Sequence, residues 1–285
     1  MLEEDKMKIA VLSGKGGTGK TFVSVNLATV ASKAAYIDCD VEEPNGHLFF
    51  KPNNMNTKEV SVKIPLVNRE LCNGCQECVK FCKFNALAYV QKNLIFFHDT
   101  CHSCGGCILF CPNKALSEKE RVIGKIEKGR SDNITVITGT LNTGEVSGTP
   151  IIGQILKDEC INEDLVIIDC PPGSDCIAME SIKDVDYCVL VAEPTIFGLH
   201  NLKMVYELVK LFNKPFGVVI NKSLENNNLI EKFCITNKIN ILTKIPFDKK
   251  LGKLNSQGLI VSKEMSDYQN LFFKLLHSIT KEAAI

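Results

Sequence analysis

A glycine-rich loop near the start of the chain constrains the fold more than any other feature. Residues 14–21 read Gly-Lys-Gly-Gly-Thr-Gly-Lys-Thr and fit the phosphate-binding pattern G-x-x-x-x-G-K-[ST]. An apolar segment at residues 8–13 predicts a buried strand before the loop, and residues 20–33 predict a helix after it. This order points backbone N–H groups and a helix N-terminus at phosphate oxygens. The sequence therefore predicts a nucleotide-binding α/β domain.

The alternation of strand and helix continues later in the chain. Short apolar segments rich in β-branched residues, typical of strands covered on both faces, occur at residues 34–38, 165–169, 187–192, 216–221 and 241–245. Residues 199–212 and 266–281 predict helices, and residues 121–141 leave room for strands that return the chain to the same sheet. The expected fold is α/β, with a mostly parallel P-loop sheet flanked by helices.

Cysteine is the second unusual feature of the sequence. The chain has 14 cysteines, and eight of them lie between Cys72 and Cys111. In a reducing compartment, dense cysteine indicates metal binding rather than disulfides. The spacing C-x₂-C-x₂-C-x₃-C begins at Cys72 and recurs at Cys101, and Pro112 follows the second run. This repeated spacing is typical of bacterial ferredoxins that hold two [4Fe–4S] clusters.

The spacing also predicts which cysteines share a cluster. Three thiolates of one run bind one iron–sulfur cube, and the fourth cysteine reaches the other cube. The first cluster is predicted at Cys72, Cys75, Cys78 and Cys111. The second cluster is predicted at Cys101, Cys104, Cys107 and Cys82. Zinc is the competing metal because four-cysteine sets also bind zinc, but two identical runs favour iron–sulfur clusters.

The cysteine-rich segment interrupts the strand–helix alternation. We therefore expect an inserted α+β module of the bacterial 2[4Fe–4S] ferredoxin type at residues 64–118. The P-loop ATPase domain would then be discontinuous, comprising residues 1–63 and 119–285.

A second lysine, Lys15, stands at the start of the phosphate loop and is the mark of the deviant Walker A motif. With it, the chain resembles the MinD, ParA and Mrp ATPases and the nitrogenase iron protein, and end to end it resembles MinD-superfamily ATPases with an inserted ferredoxin domain. The resemblance implies that Lys15 crosses a dimer interface and stabilises transition-state charge on the partner's nucleotide. Within the loop, Lys20 is expected to reach the β- and γ-phosphates, and Thr21 to ligate Mg²⁺. The predicted phosphate-loop contacts are Gly14, Gly16, Gly17, Thr18, Gly19, Lys20 and Thr21.

The resemblance extends to residues that end predicted strands. It implies that Asp40 orients the attacking water with support from Asp38, that Asp169 holds Mg²⁺ through water, and that Gly173 senses the γ-phosphate. A helix cap is the alternative for an acidic residue in such a place. Weaker matches imply that adenine is read by Asn221 and covered by Pro246, Phe247 and Asp248, for which ordinary strand-end polarity is the alternative.

Cysteines outside the two runs form no C-x-x-C pair. The Mrp carriers and the nitrogenase iron protein bridge a cluster between subunits with cysteines outside any ferredoxin module, and this chain departs from that pattern. Cys170 and Cys176, near the predicted switch II, could in principle hold such a cluster, but buried thiols without ligands are expected there and at Cys39, Cys160, Cys188 and Cys234.

Charge and hydropathy limit the partners. The chain has 33 basic and 33 acidic residues, so its net charge gives no bulk electrostatic attraction to nucleic acid or to anionic lipid, and we expect neither as a partner. The acidic residues 1–6 do not resemble a signal peptide, and no segment has the about 18 apolar residues of a spanning helix. We therefore expect a cytoplasmic protein without stable membrane association.

Three functions fit these features. The first is an ATPase that uses ATP, Mg²⁺ and two [4Fe–4S] clusters to couple dimerisation to electron transfer. Its partners would be a second copy or a related ATPase, and a redox protein. The second is an assembly or maturation ATPase that supplies iron–sulfur or another metal to a client protein. The third is a MinD-like positioning ATPase, which ranks lowest because the apolar stripe of residues 266–281 is expected to pack on the sheet.

Overall fold

The computed structural model describes residues 6–158, 161, 163–224 and 229–283. The acidic N-terminus through residue 5 and Cys160, on which two expectations fall, lie outside these residues. The strands are β1 Met7–Leu12, β2 Ala34–Asp38, β3 Asn53–Val67, β4 Leu87–Val90, β5 Asn93–Phe96, β6 Leu116–Ser131, β7 Ile134–Leu141, β8 Leu165–Asp169, β9 Tyr187–Ala192, β10 Phe216–Ser223 and β11 Ile241–Pro246.

Helices alternate with most of these strands. They are α1 Lys20–Val30, α2 Gly46–Phe50, α3 Glu77–Phe81, α4 Gly106–Leu109, α5 Thr149–Leu156, α6 Cys176–Ile182, α7 Ile196–Leu211, α8 Leu229–Thr236, α9 Lys249–Ser256, α10 Val261–Glu264 and α11 Ser266–Ala283. A 3₁₀ turn covers His98–Thr100.

Nine strands of the described residues form one sheet, in the order β11-β10-β9-β1-β8-β2-β7-β6-β3. The seven strands from β11 to β7 are parallel, which confirms the predicted α/β fold with a mostly parallel sheet. Because the central strands are parallel, the carboxyl ends of β1, β2 and β8 lie at one edge. The chain therefore brings the phosphate loop, Asp38 and Asp169 together at that edge.

Apolar layers cover both faces of the sheet. One layer packs residues of α5, α6, α7 and α8 against it, and the other packs α1, α10 and α11. In α11, Phe272, Leu275 and Ile279 are buried, and the Phe272 ring meets the Phe22 ring of α1 edge-on at a centroid distance of 5.8 Å. Most of the apolar stripe of the last helix thus packs in the core, whereas Phe273 is exposed. Across the described residues, none of the helices is both long enough and apolar enough to pass through a bilayer.

A long antiparallel ribbon extends from one edge of the sheet. Strand β6 pairs with β7 at its C-terminal half and with β3 along its whole length. The expected return strands in residues 121–141 are thus the second part of β6 and all of β7. Residues 64–67 pair with residues 116–119 in the ribbon, so residues 68–115 lie beyond its end. This terminal segment contains α3, α4 and the β4–β5 hairpin.

Gly124 marks the place where the ribbon joins the sheet. A Cβ atom there would lie 2.2 Å from the carbonyl oxygen of Thr140 on β7, and backbone cannot yield as a flexible side chain does. Gly124→Ala is therefore expected to lower the free energy of unfolding by about 1–3 kcal/mol. Urea unfolding followed by circular dichroism measures the change. Gly252→Ala is the control, because a Cβ at that helical position meets nothing within 4 Å; it should stabilise by up to about 1 kcal/mol. Equal midpoints for the two variants would contradict the packing account.

Candidate nucleotide and cluster sites

The phosphate loop forms the floor of a cleft of about 1000 Å³. Two hydrogen bonds fix the loop backbone: the Ser13 and Thr18 hydroxyls donate to the carbonyl oxygen of Lys15 at 2.8 and 3.0 Å. Gly17 and Gly19 adopt φ of 75° and 98°, a region that favours glycine. Predicted residues that line the cleft are Lys15, Gly16, Gly17, Gly19, Lys20, Thr21, Asp40, Asn221, Pro246, Phe247 and Asp248. The volume suits a ligand of nucleotide size.

Five other predicted residues support the cleft from outside its lining. Gly14 lies so close to α7 that a Cβ would come within 2.2 Å of the Asn201 carbonyl oxygen. The backbone N–H of Gly173 donates to the carbonyl oxygen of Ser13 at 2.9 Å. Thr18 is buried within the loop, and Asp38 and Asp169 are fully buried at the ends of their strands.

Lys20 links Asp169, at the end of β8, to Asp40, two residues after β2. Its Nζ lies 2.9 Å from Asp169 Oδ1 and 3.5 Å from Asp40 Oδ2, and the residue is only 6% exposed. Burial acts to lower the pKa of Lys20, but Asp169 and Asp40 outweigh it and hold that pKa above its usual value. Both carboxylates now hold this ammonium, so it could bind phosphate oxygens, and Asp169 could bind Mg²⁺, only after the ion pairs open.

Tyr36 is a residue of the site that the sequence reasoning missed. Its hydroxyl donates to Asp169 Oδ2 at 2.9 Å, so that carboxylate accepts from Tyr36 and Lys20 on separate oxygens. Burial, together with the charges of Asp169 and Asp38, raises the pKa of the Tyr36 phenol, which keeps it a donor. A lone tyrosine hydroxyl inside an apolar strand needs a partner when buried, and that was the available signal.

The two predicted cysteine quartets line two separate cavities beyond the ribbon. One cavity is lined by Cys72, Cys75, Cys78 and Cys111, together with apolar residues that include Leu94 and Leu116. The other is lined by Cys101, Cys104, Cys107 and Cys82, together with Phe81, Phe84 and Phe96. The fold thus brings three cysteines of each run together with the last cysteine of the other run. Within the described ranges, no three Cys, His, Asp or Glu side chains converge closely enough to hold a single metal ion.

The cysteine environments suit iron–sulfur ligation. The N–H groups of Ala86 and Ala115, at the same offset in the two runs, donate to the sulfurs of Cys82 and Cys111 at 3.3 and 3.2 Å. Such N–H···S bonds and apolar cover tune iron–sulfur clusters. Burial raises the pKa of the Cys107 thiol to about 11, so a nearby positive charge is needed to keep a thiolate there. The residues therefore fit a cluster in each cavity.

The nucleotide side of the molecule can be placed in a family. A family model described as the CobQ/CobB/MinD/ParA nucleotide binding domain matches residues 9–261. The chain belongs to this family. Its P-loop, its parallel sheet and the acidic residues at the ends of β2 and β8 are therefore those of a MinD/ParA-type nucleotide-binding domain.

Relatives and solved structures agree with this placement. The uncharacterized protein MJ0578 of Methanocaldococcus jannaschii is 34% identical over 278 residues, covering 94% of this chain and 96% of that protein. An iron–sulfur cluster carrier protein of the same organism is 26% identical over 228 residues, covering 76% of this chain and 60% of that protein. The cell division ATPase MinD of Pyrococcus furiosus superposes with a TM-score of 0.60 at 19% identity, over 97% of this chain and 99% of that chain. The structural likeness shows a shared fold.

The family's second P-loop lysine is held within its own chain here. Lys15 forms an ion pair with Glu193, which follows β9. Lys222 lies 3.4 Å from the same carboxylate and donates to the Gly17 carbonyl oxygen at 2.7 Å. Burial acts to raise the pKa of Glu193, but Lys15 and Lys222 outweigh it and lower that pKa. The sequence reasoning missed Glu193, although it is polar and directly follows a buried strand at the cleft edge.

The predicted adenine contacts have structural partners of their own. The Asn221 amide nitrogen donates to the Thr18 carbonyl oxygen at 2.8 Å, which braces the phosphate loop. Asp248 caps α9 by accepting from the Lys250 N–H at 2.7 Å. Pro246 and Phe247 also line the cleft, and the Phe247 ring is exposed. Reading of the base by these side chains remains a prediction.

One expectation about the remaining cysteines was wrong. Cys39, Cys170, Cys188 and Cys234 are buried, as predicted, but Cys176 is exposed. The Asp175 carboxylate accepts from the N–H groups of Ile177 and Ala178 and so starts α6 at Cys176. Cys176 is thus the first residue of α6, and its side chain lies outside the apolar layer in which Ala178 and Ile182 of the same helix are buried.

Asp38 is expected to make ATP hydrolysis depend on pH near neutrality. Its carboxylate accepts from the N–H groups of Asp40, Asn45 and Gly46 at 2.8–3.1 Å and so shapes the loop that carries Asp40. Burial and the charge of Asp169 raise the pKa of Asp38 to about 7, so the carboxyl is protonated as pH falls below 7. A neutral Asp38 accepts these bonds less well. We therefore expect kcat/KM for ATP to fall about tenfold between pH 8 and pH 6.

The matched variants for this pH profile are Asp38→Asn and Glu43→Gln. Asp38→Asn removes the titrating group, so its lower kcat/KM should be flat across the same interval. Glu43→Gln, on the same loop, should keep the wild-type slope. A wild-type slope in Asp38→Asn would show that another group titrates.

Proposed function

We propose that this chain is an ATPase that couples nucleotide-dependent dimerisation to electron transfer through two [4Fe–4S] clusters. The observation that carries the proposal is the pair of cavities, each lined by one interleaved cysteine quartet. They stand at the end of a ribbon continuous with the sheet that holds the nucleotide cleft. Residues 64–118 would form the ferredoxin-type module, and residues 1–63 and 119–285 the ATPase domain.

The nucleotide cleft has the groups that ATP hydrolysis needs. Lys20 would bind the β- and γ-phosphates after leaving its place between Asp169 and Asp40. Thr21 and Asp169 would hold Mg²⁺, and Asp40, freed from Lys20, would orient the attacking water. Tyr36 keeps one Asp169 oxygen oriented throughout. Lys15 would leave Glu193 to reach the nucleotide of a partner subunit, which makes the dimer the active form.

The cysteine module would supply the redox chemistry. When bound, each cluster can accept and release one electron. The chain's own residues orient the sulfur ligands, and the N–H groups of Ala86 and Ala115 stabilise two of them. The module also carries four exposed large apolar side chains: Phe81, Phe84, Leu109 and Phe110. They would form the surface on which a redox partner docks.

Reduced-minus-oxidised spectra of anaerobic protein test the proposal. They are recorded during titration with a reductant, without nucleotide and with Mg²⁺–ATP trapped in the Asp40→Ala variant. Nucleotide should change the reductant level at which the clusters take up electrons, or the rate at which an oxidant removes them. A titration identical with and without ATP would oppose ATP-gated electron transfer.

A carrier or assembly role is the second proposal. It is favoured by the M. jannaschii relative that is named an iron–sulfur cluster carrier protein. In that role the chain would deliver a cluster, or another metal, to a client protein in an ATP-dependent step. Mixing the loaded chain with an apo-ferredoxin separates the two proposals. Transfer of iron and sulfide that speeds up with ATP would favour delivery, whereas retention of both clusters would favour electron transfer.

A further inference from the structure

The structure contains a polar bridge from the cysteine module to the nucleotide domain. It centres on Arg121, on the side of β6 that faces the 3₁₀ turn His98–Thr100. Arg121 Nη1 donates to the His98 carbonyl oxygen at 2.8 Å, and Nη2 pairs with Glu145 Oε1 at 2.9 Å and lies 3.6 Å from Asp99 Oδ1. One guanidinium therefore contacts both the 98–100 turn and Glu145.

On the module side, the bridge reaches a predicted cluster ligand directly. The His98 carbonyl oxygen that accepts from Arg121 also accepts from the backbone N–H of Cys101 at 3.2 Å. Cys101 is the first cysteine of the second run and lines the second cavity. A displacement of Arg121 thus acts on the turn that positions Cys101.

On the nucleotide side, Glu145 lies in the loop between β7 and α5, and this loop is tied to the segment after Asp40. The N–H of Leu141 donates to the Val41 carbonyl oxygen at 2.8 Å. A Cβ on Gly148, at the other end of the loop, would lie 2.2 Å from Val41 Cγ2. Both ends of the loop therefore contact the residue next to Asp40.

The bridge is semi-rigid rather than a loose surface ion pair. The Glu145 side chain is 11% exposed and that of Arg121 is 23% exposed, so solvent screening is reduced. The loop also bonds the ribbon, since the Asn142 N–H donates to the Ile123 carbonyl oxygen at 2.9 Å. The planar guanidinium fork holds its two partners in one fixed geometry, which an ammonium group cannot do.

We propose that Arg121, through Glu145, is the positioning residue that couples the nucleotide site to the Cys101 turn. Movement of the Asp40–Val41 segment on nucleotide binding passes through the 142–148 loop and the guanidinium to His98. The cysteine quartet that contains Cys101 is therefore displaced by nucleotide binding before the quartet that contains Cys72. This inference rests on the proposed function only in that nucleotide binding shifts Asp40.

Hydrogen–deuterium exchange of the full-length chain tests this coupling, whether or not the protein transfers electrons. Exchange is followed in peptides that cover residues 96–107, before and after addition of a non-hydrolysable ATP analogue with Mg²⁺. In the wild type, the analogue should change exchange at residues 98–103 by about threefold or more. Arg121→Gln and Glu145→Gln should each abolish the change, and the double variant should lose no more than either single variant.

Two further variants separate the geometry of the guanidinium from its charge and from a charge change elsewhere on β6. Arg121→Lys keeps the charge without the fork and should lose most of the response. Lys125→Gln, four residues along the same strand and paired with Glu127 at 3.0 Å, should keep the full response. All variants should bind the analogue with wild-type affinity, because none of these residues lines the cleft. A full response in Arg121→Gln, or none in the wild type, would overturn the proposal. A normal exchange response with nucleotide-blind spectra would instead reject the proposed electron transfer.

Discussion

Replacing Lys15 with glutamine is expected to lower ATP hydrolysis by about a thousandfold, while ATP affinity stays within about twofold of wild type. The reason is that Lys15 lies at the rim of the cleft, held by Glu193 of its own chain, rather than over the phosphates like Lys20. It would act only after release to a partner's nucleotide, where it stabilises charge that develops in the transition state. Steady-state hydrolysis and equilibrium binding of a fluorescent ATP analogue measure the two quantities. Lys222→Gln, which removes the other lysine on Glu193, should retain most of the activity.

Mixed dimers show whether Lys15 acts across the interface. Lys15→Gln and Asp40→Ala subunits are each inactive alone. In a heterodimer of the two, one site combines an intact Asp40 with the intact Lys15 of its partner. A one-to-one mixture should then recover about a quarter of wild-type activity if subunits associate at random. No recovery in a mixture that forms dimers would place Lys15 in its own site.

Serine at a single quartet position is expected to remove one cluster and leave the other. Cys78→Ser should lower bound iron from about eight to about four atoms per chain, because one cube loses a corner ligand. Cys176→Ser is the control, since Cys176 is exposed and lies outside both cavities, whereas Cys78 is buried and lines the first cavity. It should keep all of the iron. Iron and sulfide are quantified on protein prepared under anaerobic conditions.

The same series tests the interleaving of the two runs. The paramagnetic signal of the remaining cluster should be alike in Cys111→Ser and Cys72→Ser, since both line the first cavity. It should likewise match between Cys82→Ser and Cys101→Ser, which line the second. If Cys111→Ser instead matched Cys101→Ser, each run would hold its own cluster, against the arrangement of the cavities.

The nucleotide half of the fold could be predicted because its signals are local. The P-loop pattern is contiguous in sequence. The parallel strands are short apolar segments because both faces of each strand are buried. The ribbon gave no such signal. Residues 53–59 of β3 are exposed on both faces, so no apolar alternation marks the strand. Exposed cross-strand pairs such as Lys63 with Glu118 decorate it instead. Its existence depends on pairing between distant segments.

Residues of the site that were missed share this dependence on tertiary neighbours. Tyr36 acts only because β2 lies beside β8, and Glu193 only because β9 ends next to the phosphate loop. Arg121 and Glu145 are ordinary surface-type residues in sequence and meet only in the fold. The cysteines that line each cavity, by contrast, are those that the sequence spacing groups together, while their role as cluster ligands stays a prediction.

Two iron–sulfur cubes held within a nucleotide-driven chain are the centre of this account. Elemental analysis of anaerobically purified protein, with acid-labile sulfide measured in parallel, tests that claim most directly. We expect about eight iron atoms and eight sulfides per chain, with little zinc. About two zinc ions per chain without sulfide would contradict it and leave a nucleotide switch with a zinc-stabilised appendage.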